Sequence, residues 1–427
     1  MLRFFIIVYL TLSLLAILLY LPKLIGFFYA FKKPRHPRAR TKRRISVIVP
    51  ARGESKIIGD LLASIEKQDY DRAFFDVNVI VKDENDATIG IATDMGARVY
   101  LAREQTCKGD ALDGYFKALA KEELKRYDAF VIVDADAVLS PSYLRELNNA
   151  LEENYDIYIT RKHAKNYLGG KKNRSVFSNC ATLTWPILDD LSNNFRMRHE
   201  MPLNLCGQGM MLRRAVIEEL GGWPYRTLTE DYELKLDSLL KGYRSMFYPY
   251  AALYTEEALG REENCIRRLR WLTGYKQCDK KYRDQIKAQV RARGRCNAGE
   301  FEYFFGVFPL LLYVATAAIT MLAGIALAIG NLIAGKVLRA AASFCFLTAI
   351  PFLIMYTLLF LYSALAMLAC RETFAVLSRT EKLFTLLYNP FFLLEYIPLY
   401  FKSVRAVHRG QPPKWKETER IEYDAPQ

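Results

Sequence analysis

The sequence AFVIVDADAV, residues 129–138, joins an apolar run to two aspartates. The run from Ala129 to Val133 predicts a buried strand because β-branched and aromatic residues favour strands. Asp134 and Asp136 would point to the same side if the strand continued through them. Adjacent carboxylates repel each other unless a cation lies between them, and such oxygen ligands suit Mg²⁺ or Mn²⁺. Alternatively, one aspartate caps the next helix and the other is solvated.

The segments before this stretch alternate between strand and helix patterns, which predicts an α/β fold with a parallel sheet. Strands are predicted at 44–50, 76–81, 97–101 and 129–133, and helices at 57–68, 87–95 and 109–125. Ligands of open parallel sheets bind beyond the carboxyl ends of the strands. Acidic side chains follow three of these ends: Glu54, Asp83 and the Asp134/Asp136 pair. We therefore expect the functional site there.

Apolar residues are concentrated at the two ends of the 427-residue chain, in 1–31 and most of 303–370. The first apolar segment, Leu2 to Phe31, has only two charged residues and is long enough to cross a bilayer. It has no small-residue cleavage site, which favours an uncleaved anchor over a signal peptide. Further spans are predicted at 304–330 and 341–369. Segment 383–401 contains prolines and a glutamate, so we predict an interfacial or re-entrant helix; the alternative is a full span.

The segment KKPRHPRARTKRR, residues 32–44, accounts for part of the net charge of +14. A basic block directly after a span is retained on the cytoplasmic side. Binding of nucleic acid is the other role for such a block, and its position beside a membrane span argues against it. The pattern predicts a multi-pass protein of the cell membrane whose middle domain is cytosolic.

The eight cysteines are scattered, and none forms a C-x-x-C pair. The four histidines form no cluster with them. Zinc sites and disulfide frameworks are therefore not indicated, and free thiols of this kind are typical of a reducing cytosol.

Two motifs occur in the second half of the middle region. In TLTEDYEL, residues 227–234, Thr229 is a suitable N-cap, and Glu230 and Asp231 would complement the dipole of the following helix. In CIRRLRWLTGY, residues 265–275, arginines surround Trp271. Arginine binds phosphate oxygens in a bidentate way and tryptophan offers a flat face to a sugar or base, although a membrane-proximal basic helix would look similar.

Taken together, these motifs resemble the membrane-integrated family 2 glycosyltransferases, which include cellulose, hyaluronan and poly-N-acetylglucosamine synthases. The resemblance covers residues 44–275 and the tail PPKWKETER, residues 412–420. It implies a cytosolic, nucleotide-sugar-binding domain of the GT-A type, which is Rossmann-like, with transmembrane helices at both ends. It also implies a UDP-sugar donor, a glycan or lipid acceptor, contact with membrane lipids, and Mg²⁺ or Mn²⁺ as cofactor.

The resemblance assigns roles to residues that match the family's motifs. Asp231 is implied as catalytic base, Asp136 as metal ligand with Asp134 beside it, and Trp271 as acceptor-binding together with Gly207 and Gln208. The implied donor-binding residues are Pro50, Glu54, Asp83, Lys108, Asp134 and Arg270. Arg267 and Trp415 are expected near the site. A single in-line displacement would invert the anomeric centre and give a β-linked product.

One departure concerns Arg267, which occupies the place of the glutamine in the family's Q-x-x-R-W motif. The R-x-x-R-W form occurs in relatives that glucosylate a lipid once, such as ceramide glucosyltransferases. The leading interpretation is the synthesis, with export through its own membrane region, of a cell-surface polysaccharide, and an accessory or export protein is compatible with it. The alternative is transfer of one sugar to a lipid acceptor. A transporter is disfavoured because the predicted spans at 304–330 and 341–369 lack charged side chains.

The resulting domain plan has six parts. We predict a transmembrane helix at 1–31, a basic linker at 32–44, the cytosolic glycosyltransferase domain at 45–276, a basic interfacial segment at 277–302, a transmembrane region at 303–402 and a cytosolic tail at 403–427.

Overall fold

The computed structural model describes residues 1–410, which places Trp415 and the tail motif outside the described residues. Eight strands form one sheet: β1 (Ile45–Pro50), β2 (Phe75–Val81), β3 (Arg98–Leu101), β4 (Ala129–Ile132), β5 (Val138–Leu139), β6 (Ile157–Ala164), β7 (Met210–Arg213) and β8 (Ser245–Thr255). Their spatial order is β3-β2-β1-β4-β7-β6-β8-β5.

The sheet is mixed. Strands β1 to β4 are mutually parallel, as predicted from the alternation of strands and helices. Strand β7 is antiparallel to both β4 and β6, and β5 is antiparallel to β8. The parallel arrangement predicted from the first four strands is therefore confirmed for those strands. It does not extend to β5 and β7, because the second half of the chain no longer alternates one strand with one crossover helix.

The predicted strands and helices of the first half are present with small shifts at their ends. The predicted helix 109–125 is divided into two helices. The seventeen α-helices of the described residues are α1 (Leu2–Gly26), α2 (Ile58–Glu66), α3 (Thr88–Asp94), α4 (Lys108–Ala118), α5 (Lys121–Leu124), α6 (Tyr143–Ala150), α7 (Val176–Leu188), α8 (Asn194–Arg198), α9 (Arg214–Leu220), α10 (Glu230–Lys241), α11 (Arg261–Arg293), α12 (Ala298–Phe305), α13 (Phe308–Ile333), α14 (Val337–Phe344), α15 (Ile350–Ala369), α16 (Arg379–Leu394) and α17 (Tyr396–His408).

Short π-helical segments at Asp189–Asn193 and Cys345–Ala349 join α7 to α8 and α14 to α15. Short 3-10 segments occur at Phe27–Phe31, Arg72–Phe74, Lys165–Tyr167 and Lys171–Asn173.

The central strands have apolar sequences because they are buried in the core. Every residue of β2 and β4 is buried, and their apolar side chains belong to one core cluster that includes apolar residues of α2, α4 and α6. The end of β4 is the point at which the buried run stops and polar side chains begin, so the sheet delivers residues 134–137 to its edge.

Three helical segments of the described residues have the length and apolar composition to cross a membrane: Leu2–Leu21, Ala298–Ile333 and Val337–Ala369. Helices α1 and α13 pack against each other. The segment predicted at 383–401 forms parts of α16 and α17, which are separated at Glu395. These two helices pack against α7 and α11, which belong to the sheet-containing part of the molecule.

Candidate functional site

Three chain segments meet at the amino group of Lys108, the first residue of α4. Its Nζ lies 2.5 Å from Asp134 Oδ1 and donates a hydrogen bond of 2.6 Å to the carbonyl oxygen of Gly207. Glu230 Oε1, at the start of α10, lies 3.5 Å from the same nitrogen. Burial alone would lower the pKa of Lys108, but Asp134 and Glu230 outweigh it and raise the pKa. Lys108 therefore stays protonated and holds the carboxylates at the end of β4.

The loop before β7 reaches this position because β7 runs antiparallel to β4. Met210 pairs with Ile132, so loop 204–209 arrives beside the turn that follows β4. A Cβ at Gly207 would lie only 3.1 Å from Glu230 Oε1, so a side chain there would crowd the carboxylate.

Gln208, in the same loop, is 6% exposed and points inward. Its Nε2 donates to Thr255 Oγ1 at 2.7 Å. Its Oε1 is buried and accepts no hydrogen bond within the described residues. A buried amide oxygen without a donor costs free energy, so Gln208 offers an acceptor atom to a ligand hydroxyl.

Glu230 and Asp231 lie side by side in the first turn of α10. Burial raises the pKa of Glu230 to about 7, although the charge of Lys108 opposes this effect. Burial also raises the pKa of Asp231, against a hydrogen bond of 2.7 Å from the Tyr232 N–H and the positive charges of Lys108 and Arg270. A carboxylate whose pKa is raised toward neutrality suits proton transfer. The structure therefore offers two adjacent carboxylates for this role, whereas the motif singled out Asp231.

Thr229 precedes α10, as predicted, but its side chain makes no capping hydrogen bond to the helix. Its hydroxyl instead lies 3.7 Å from Cys278 Sγ on α11. Gly274 of α11 approaches so closely that a Cβ there would lie 2.4 Å from Thr229 Oγ1. Thr229 therefore occupies the predicted N-cap position, but its hydroxyl contacts α11 and does not cap α10. This contact fixes α11 against the first turn of α10.

The two aspartates after β4 lie in a turn, in which the Ala137 N–H donates to the Asp134 carbonyl at 3.1 Å. The expectation that a continuing strand orients both to one side is therefore wrong. The Asp134 carboxylate faces Lys108. Asp136 lies near Glu257, whose pKa is raised by burial and further by the Asp136 charge.

The residues present fit a metal ion that is shared with a phosphate-bearing ligand. Magnesium-like ions are commonly held by one or two carboxylates together with waters and substrate phosphates, and Asp134 and Asp136 supply such carboxylates. Within residues 1–410, no group of three or more His, Cys, Asp and Glu side chains is gathered that would hold an ion by itself. The donor set therefore fits a shared metal and does not fit a closed metal centre.

Arg267 and Trp271 are one turn apart on α11 and are in contact, with the guanidinium 5.3 Å from the ring centroid. Arg267 Nη1 lies 3.0 Å from Glu257 Oε2. Glu257 Oε1 accepts a hydrogen bond of 2.8 Å from Trp185 Nε1, and the Trp185 and Trp271 rings meet edge to face at 6.4 Å. Glu257 and Trp185 were missed because no motif contains them, and a lone buried glutamate has no signal in one sequence.

Arg270 is oriented toward the start of α10. Its Nη1 lies 3.4 Å from the Leu228 carbonyl oxygen. The pKa of Arg270 is lowered, because burial outweighs the charges of Glu230 and Asp231, which act to raise it. The guanidinium therefore faces the same carboxylates as Lys108, and the two arginines of the motif have different surroundings.

Pro50, Glu54 and Asp83 lie at the ends of β1 and β2, next to β4 in the sheet. Asp83 is exposed and accepts the Asn85 N–H at 3.0 Å. The two loops are joined by Asp86, whose Oδ2 accepts the Gly53 N–H at 2.8 Å. Asp86 was missed, although its position two residues before Thr88 at the start of α3 is a recognisable capping signal.

Arg268 attaches α11 to the C-terminal end of α16. Arg268, 2% exposed, lies 2.5 Å from Glu395 Oε2 and donates to the Phe392 carbonyl at 2.7 Å. Its guanidinium stacks 3.9 Å from the Phe392 ring centroid. Residues 267, 268, 270 and 271 thus face three different surroundings on one helix.

The model described as glycosyl transferase family group 2 matches residues 129–378. Probable glycosyltransferase YdaM of Bacillus subtilis (strain 168) is 22% identical over 317 residues, which cover 72% of this chain and 73% of that protein.

Among solved structures, mannosyltransferase PcManGT from Pyrobaculum calidifontis, in complex with GDP-Man and Mn2+, has a TM-score of 0.53. It is 17% identical, and the match covers 93% of this chain and 99% of that one. Staphylococcus aureus TarS 1-349 in complex with UDP-GlcNAc matches with 15% identity and a TM-score of 0.35, over 70% of this chain and 90% of that one. The PcManGT similarity shows a shared fold, which agrees with the α/β fold expected of a GT-A domain.

Proposed function

Because the chain belongs to glycosyl transferase family group 2, we propose that it is a membrane-bound, inverting glycosyltransferase. The donor is a sugar linked to a nucleoside diphosphate, for which we propose UDP, and the acceptor hydroxyl belongs to a glycan or lipid. The new bond is β-glycosidic. The observation that carries this proposal is the meeting of Asp231, Glu230, Lys108 and Asp134 at the carboxyl end of β4.

Asp231 acts as general base in this proposal. Its raised pKa makes it a better proton acceptor than an ordinary aspartate, provided that it is ionised when the acceptor binds. The Tyr232 N–H and the charges of Lys108 and Arg270 favour the ionised form. Asp231 takes the proton of the acceptor hydroxyl as its oxygen attacks the anomeric carbon from the face opposite the leaving diphosphate.

Positive charge beside this site stabilises the leaving diphosphate. Lys108 and Arg270 both face the end of β4 and the start of α10, and fixed cations stabilise charge that develops in the transition state. Mg²⁺ or Mn²⁺ bound by Asp136 and Asp134 would supply Lewis-acid charge stabilisation to the same phosphates. The presence of Mn2+ with a sugar nucleotide in the PcManGT complex supports this assignment.

Pro50, Glu54 and Asp83 form the nucleotide side of the site in this proposal, because they follow strands β1 and β2 next to β4. Trp271 and the loop with Gly207 and Gln208 form the acceptor side. The buried Oε1 of Gln208 would accept a hydrogen bond from an acceptor hydroxyl.

The three helical segments that are long and apolar enough to cross a membrane support the proposed membrane attachment. The basic residues 32–44 favour a cytosolic catalytic domain, and the α16–α17 pair packs on this domain as an interfacial element would. We keep the predicted domain plan, although α11 passes residue 276 without interruption and therefore joins the catalytic domain to the basic segment.

The product we propose is a cell-surface polysaccharide. Transfer of one sugar to a lipid is the second candidate, and the presence of Arg267, bound to Glu257, favours it. The length of the radiolabelled product made by membranes containing the enzyme distinguishes the two, because single transfer gives one discrete glycolipid.

The decisive test is nucleotide release by the purified full-length chain. Candidate donors are UDP-glucose, UDP-N-acetylglucosamine, UDP-galactose, UDP-glucuronate and GDP-mannose, each with Mn²⁺, Mg²⁺ or a chelator. We expect release of UDP from one UDP-sugar, dependent on the metal. Nucleotide release from GDP-mannose alone would overturn the UDP assignment. If no donor releases its nucleotide even when membranes that contain the acceptor are added, the proposed function is overturned.

A further inference from the structure

Three cations and one carboxylate lie where α1, α8, α10 and α12 meet. We name this group the junction cluster; its members are Lys23, Arg196, Lys235 and Glu302. Lys23 Nζ lies 3.4 Å from Glu302 Oε1 and donates to the Gly306 carbonyl at 2.7 Å. Arg196 pairs with the other oxygen of Glu302. The mechanism proposed above uses none of these residues.

The charges of the junction cluster do not balance. Glu302 serves both Lys23 and Arg196. Lys235 is half-buried and donates to the neutral Asn204 Oδ1 at 2.7 Å. Within residues 1–410, no carboxylate oxygen lies within 4 Å of its amino group. Arg196 is buried, and Lys23 and Lys235 are partly buried. Withdrawing cations from water is costly unless an anion pairs with them, and the described part of the chain provides one carboxylate for the three cations.

The surroundings of Lys235 agree with a missing anion. Burial, together with the positive charges of Arg196 and Lys23, lowers the pKa of Lys235 well below its usual value, although Glu302 opposes this effect. A phosphate bound beside the amino group would favour the charged form and offset this burial.

The position of Lys235 connects the junction cluster to the proposed catalytic base. Lys235 follows Asp231 by four residues on α10, a rise of about 6 Å along the helix axis. Loop 204–207 covers the same distance between Lys235 and the catalytic site. The Asn204 side chain accepts a hydrogen bond from Lys235 at one end of the loop, and the Gly207 carbonyl accepts one from Lys108 at the other. A ligand anion at Lys235 would therefore lie about one sugar unit from Asp231.

The opposite side of the junction cluster faces the membrane-crossing segments. Lys23 follows the segment Leu2–Leu21, and Glu302 lies in the first turns of the segment Ala298–Ile333. Lipid head groups are located at the ends of such apolar segments. A phosphate in this position therefore has a natural source in a membrane lipid.

We propose that the junction cluster binds the phosphate of a membrane lipid whose hydroxylated head group is the acceptor. The ligand class is an anionic phosphodiester lipid that carries a polyol or a sugar. Lys235 and Lys23 hold the phosphate, Arg196 adds charge, and the head group extends along α10 toward Asp231. This inference rests on the proposed function, because only a glycosyltransferase gives the head-group hydroxyl a reaction.

The test measures binding of a short-chain lipid to the full chain in detergent by calorimetry. The probe is dihexanoylphosphatidylglycerol, compared with dihexanoylphosphatidylcholine and with inorganic phosphate. We expect the phosphatidylglycerol to bind more tightly than the zwitterionic lipid. Lys235→Gln should weaken it about ten- to a hundred-fold, the usual effect of losing one charged hydrogen bond. Lys235→Arg should retain binding, because the charge persists.

Lys241→Gln is the matched control, because Lys241 lies on the same helix, is exposed and pairs with Asp237. Its lipid affinity should equal that of the wild type. Equal affinity for both lipids, or a Lys235→Gln variant that binds phosphatidylglycerol normally, would overturn the proposal. Binding of inorganic phosphate without phosphatidylglycerol would overturn the lipid assignment in favour of a free anion.

The affinity for UDP with Mn²⁺, measured on the same samples, separates this proposal from the proposed function. If the chain binds the lipid through Lys235 but does not bind UDP, the glycosyltransferase assignment is overturned and the lipid site is not. Normal UDP binding with lipid affinity that does not depend on Lys235 would overturn the lipid site alone.

Discussion

The guanidinium of Arg267 is bound to the carboxylate of Glu257, with Nη1 3.0 Å from Oε2. Glu257 has a side chain that is 1% exposed, so its charge depends on this partner. The same guanidinium lies against the Trp271 ring, and Glu257 also binds Trp185. Arg267 thus orients the aromatic side of the site, whereas Arg270 faces the carboxylates of α10.

Replacement of Arg267 by glutamine should preserve donor binding and change the handling of the acceptor. Glutamine can still donate to Glu257, but the ring of Trp271 loses its cationic neighbour. We expect the KM for the acceptor or the product length to change, with UDP release of the same order as wild type. A ten- to hundred-fold loss of UDP release with weakened donor affinity would contradict this, because that is the effect of removing a phosphate contact.

Asp231→Asn should bind the donor but lose transfer by about 10²–10⁴-fold, the usual contribution of a general base. In the wild type, the rate should rise with pH through the raised pKa of Asp231, since only the ionised carboxylate accepts a proton. This rise should disappear in the variant. Glu230→Gln is the informative comparison: if it abolishes transfer while Asp231→Asn does not, Glu230, whose pKa is about 7, is the base.

Asp136→Ala should abolish turnover because the diphosphate would leave without its metal. The measurement is UDP release at increasing Mn²⁺ concentrations, with residual activity below about a tenth of wild type at saturation. Asp69→Asn, at a surface pair with Arg145, is the control and should be fully active. Residual activity of Asp136→Ala above about a tenth of wild type at saturating Mn²⁺ would remove Asp136 from the metal site.

The attachment of α11 to the end of α16 can be tested at Glu395 and its two arginine partners. Arg268→Met leaves Glu395 without its buried partner and should destabilise the protein by about 3 kcal/mol. Arg261 binds the same carboxylate from an exposed position, where an ion pair contributes little to stability, so Arg261→Gln should destabilise the protein much less than Arg268→Met. Unfolding in detergent measures both. Equal costs would show that burial of Arg268 is not important.

Gly274→Ala should separate α11 from α10. Alanine stabilises a helix by about 1 kcal/mol relative to glycine. At this position, however, the alanine Cβ would lie 2.4 Å from Thr229 Oγ1, and such overpacking costs about 1–3 kcal/mol. We expect lower transfer activity, since α11 carries Arg270 and α10 carries Asp231. Gly90→Ala in α3, where a Cβ meets no atom within 4 Å, should be neutral or stabilising. Unchanged kinetics of Gly274→Ala would contradict the tight contact.

The sequence by itself determined the first four strands and the apolar helical segments. These depend on local patterns: the buried run before Asp134 and the uninterrupted apolar residues after Leu2 need no information about distant parts of the chain. The ordered motifs also indicated the glycosyltransferase family. Most of the single residues that meet at Lys108 were predicted from those motifs, because Lys108, Asp134, Gly207 and Asp231 each belong to one.

Only the tertiary structure decided which side chains face each other. The antiparallel entry of β7 brings Gly207 to Lys108, and nothing in the local sequence of β7 specifies its direction. Glu257 and Glu395 become partners of Arg267 and Arg268 across 10 and 127 residues. The roles of two adjacent arginines on one helix differ because a helix turns by 100° per residue, and the neighbours on each face are supplied by remote segments.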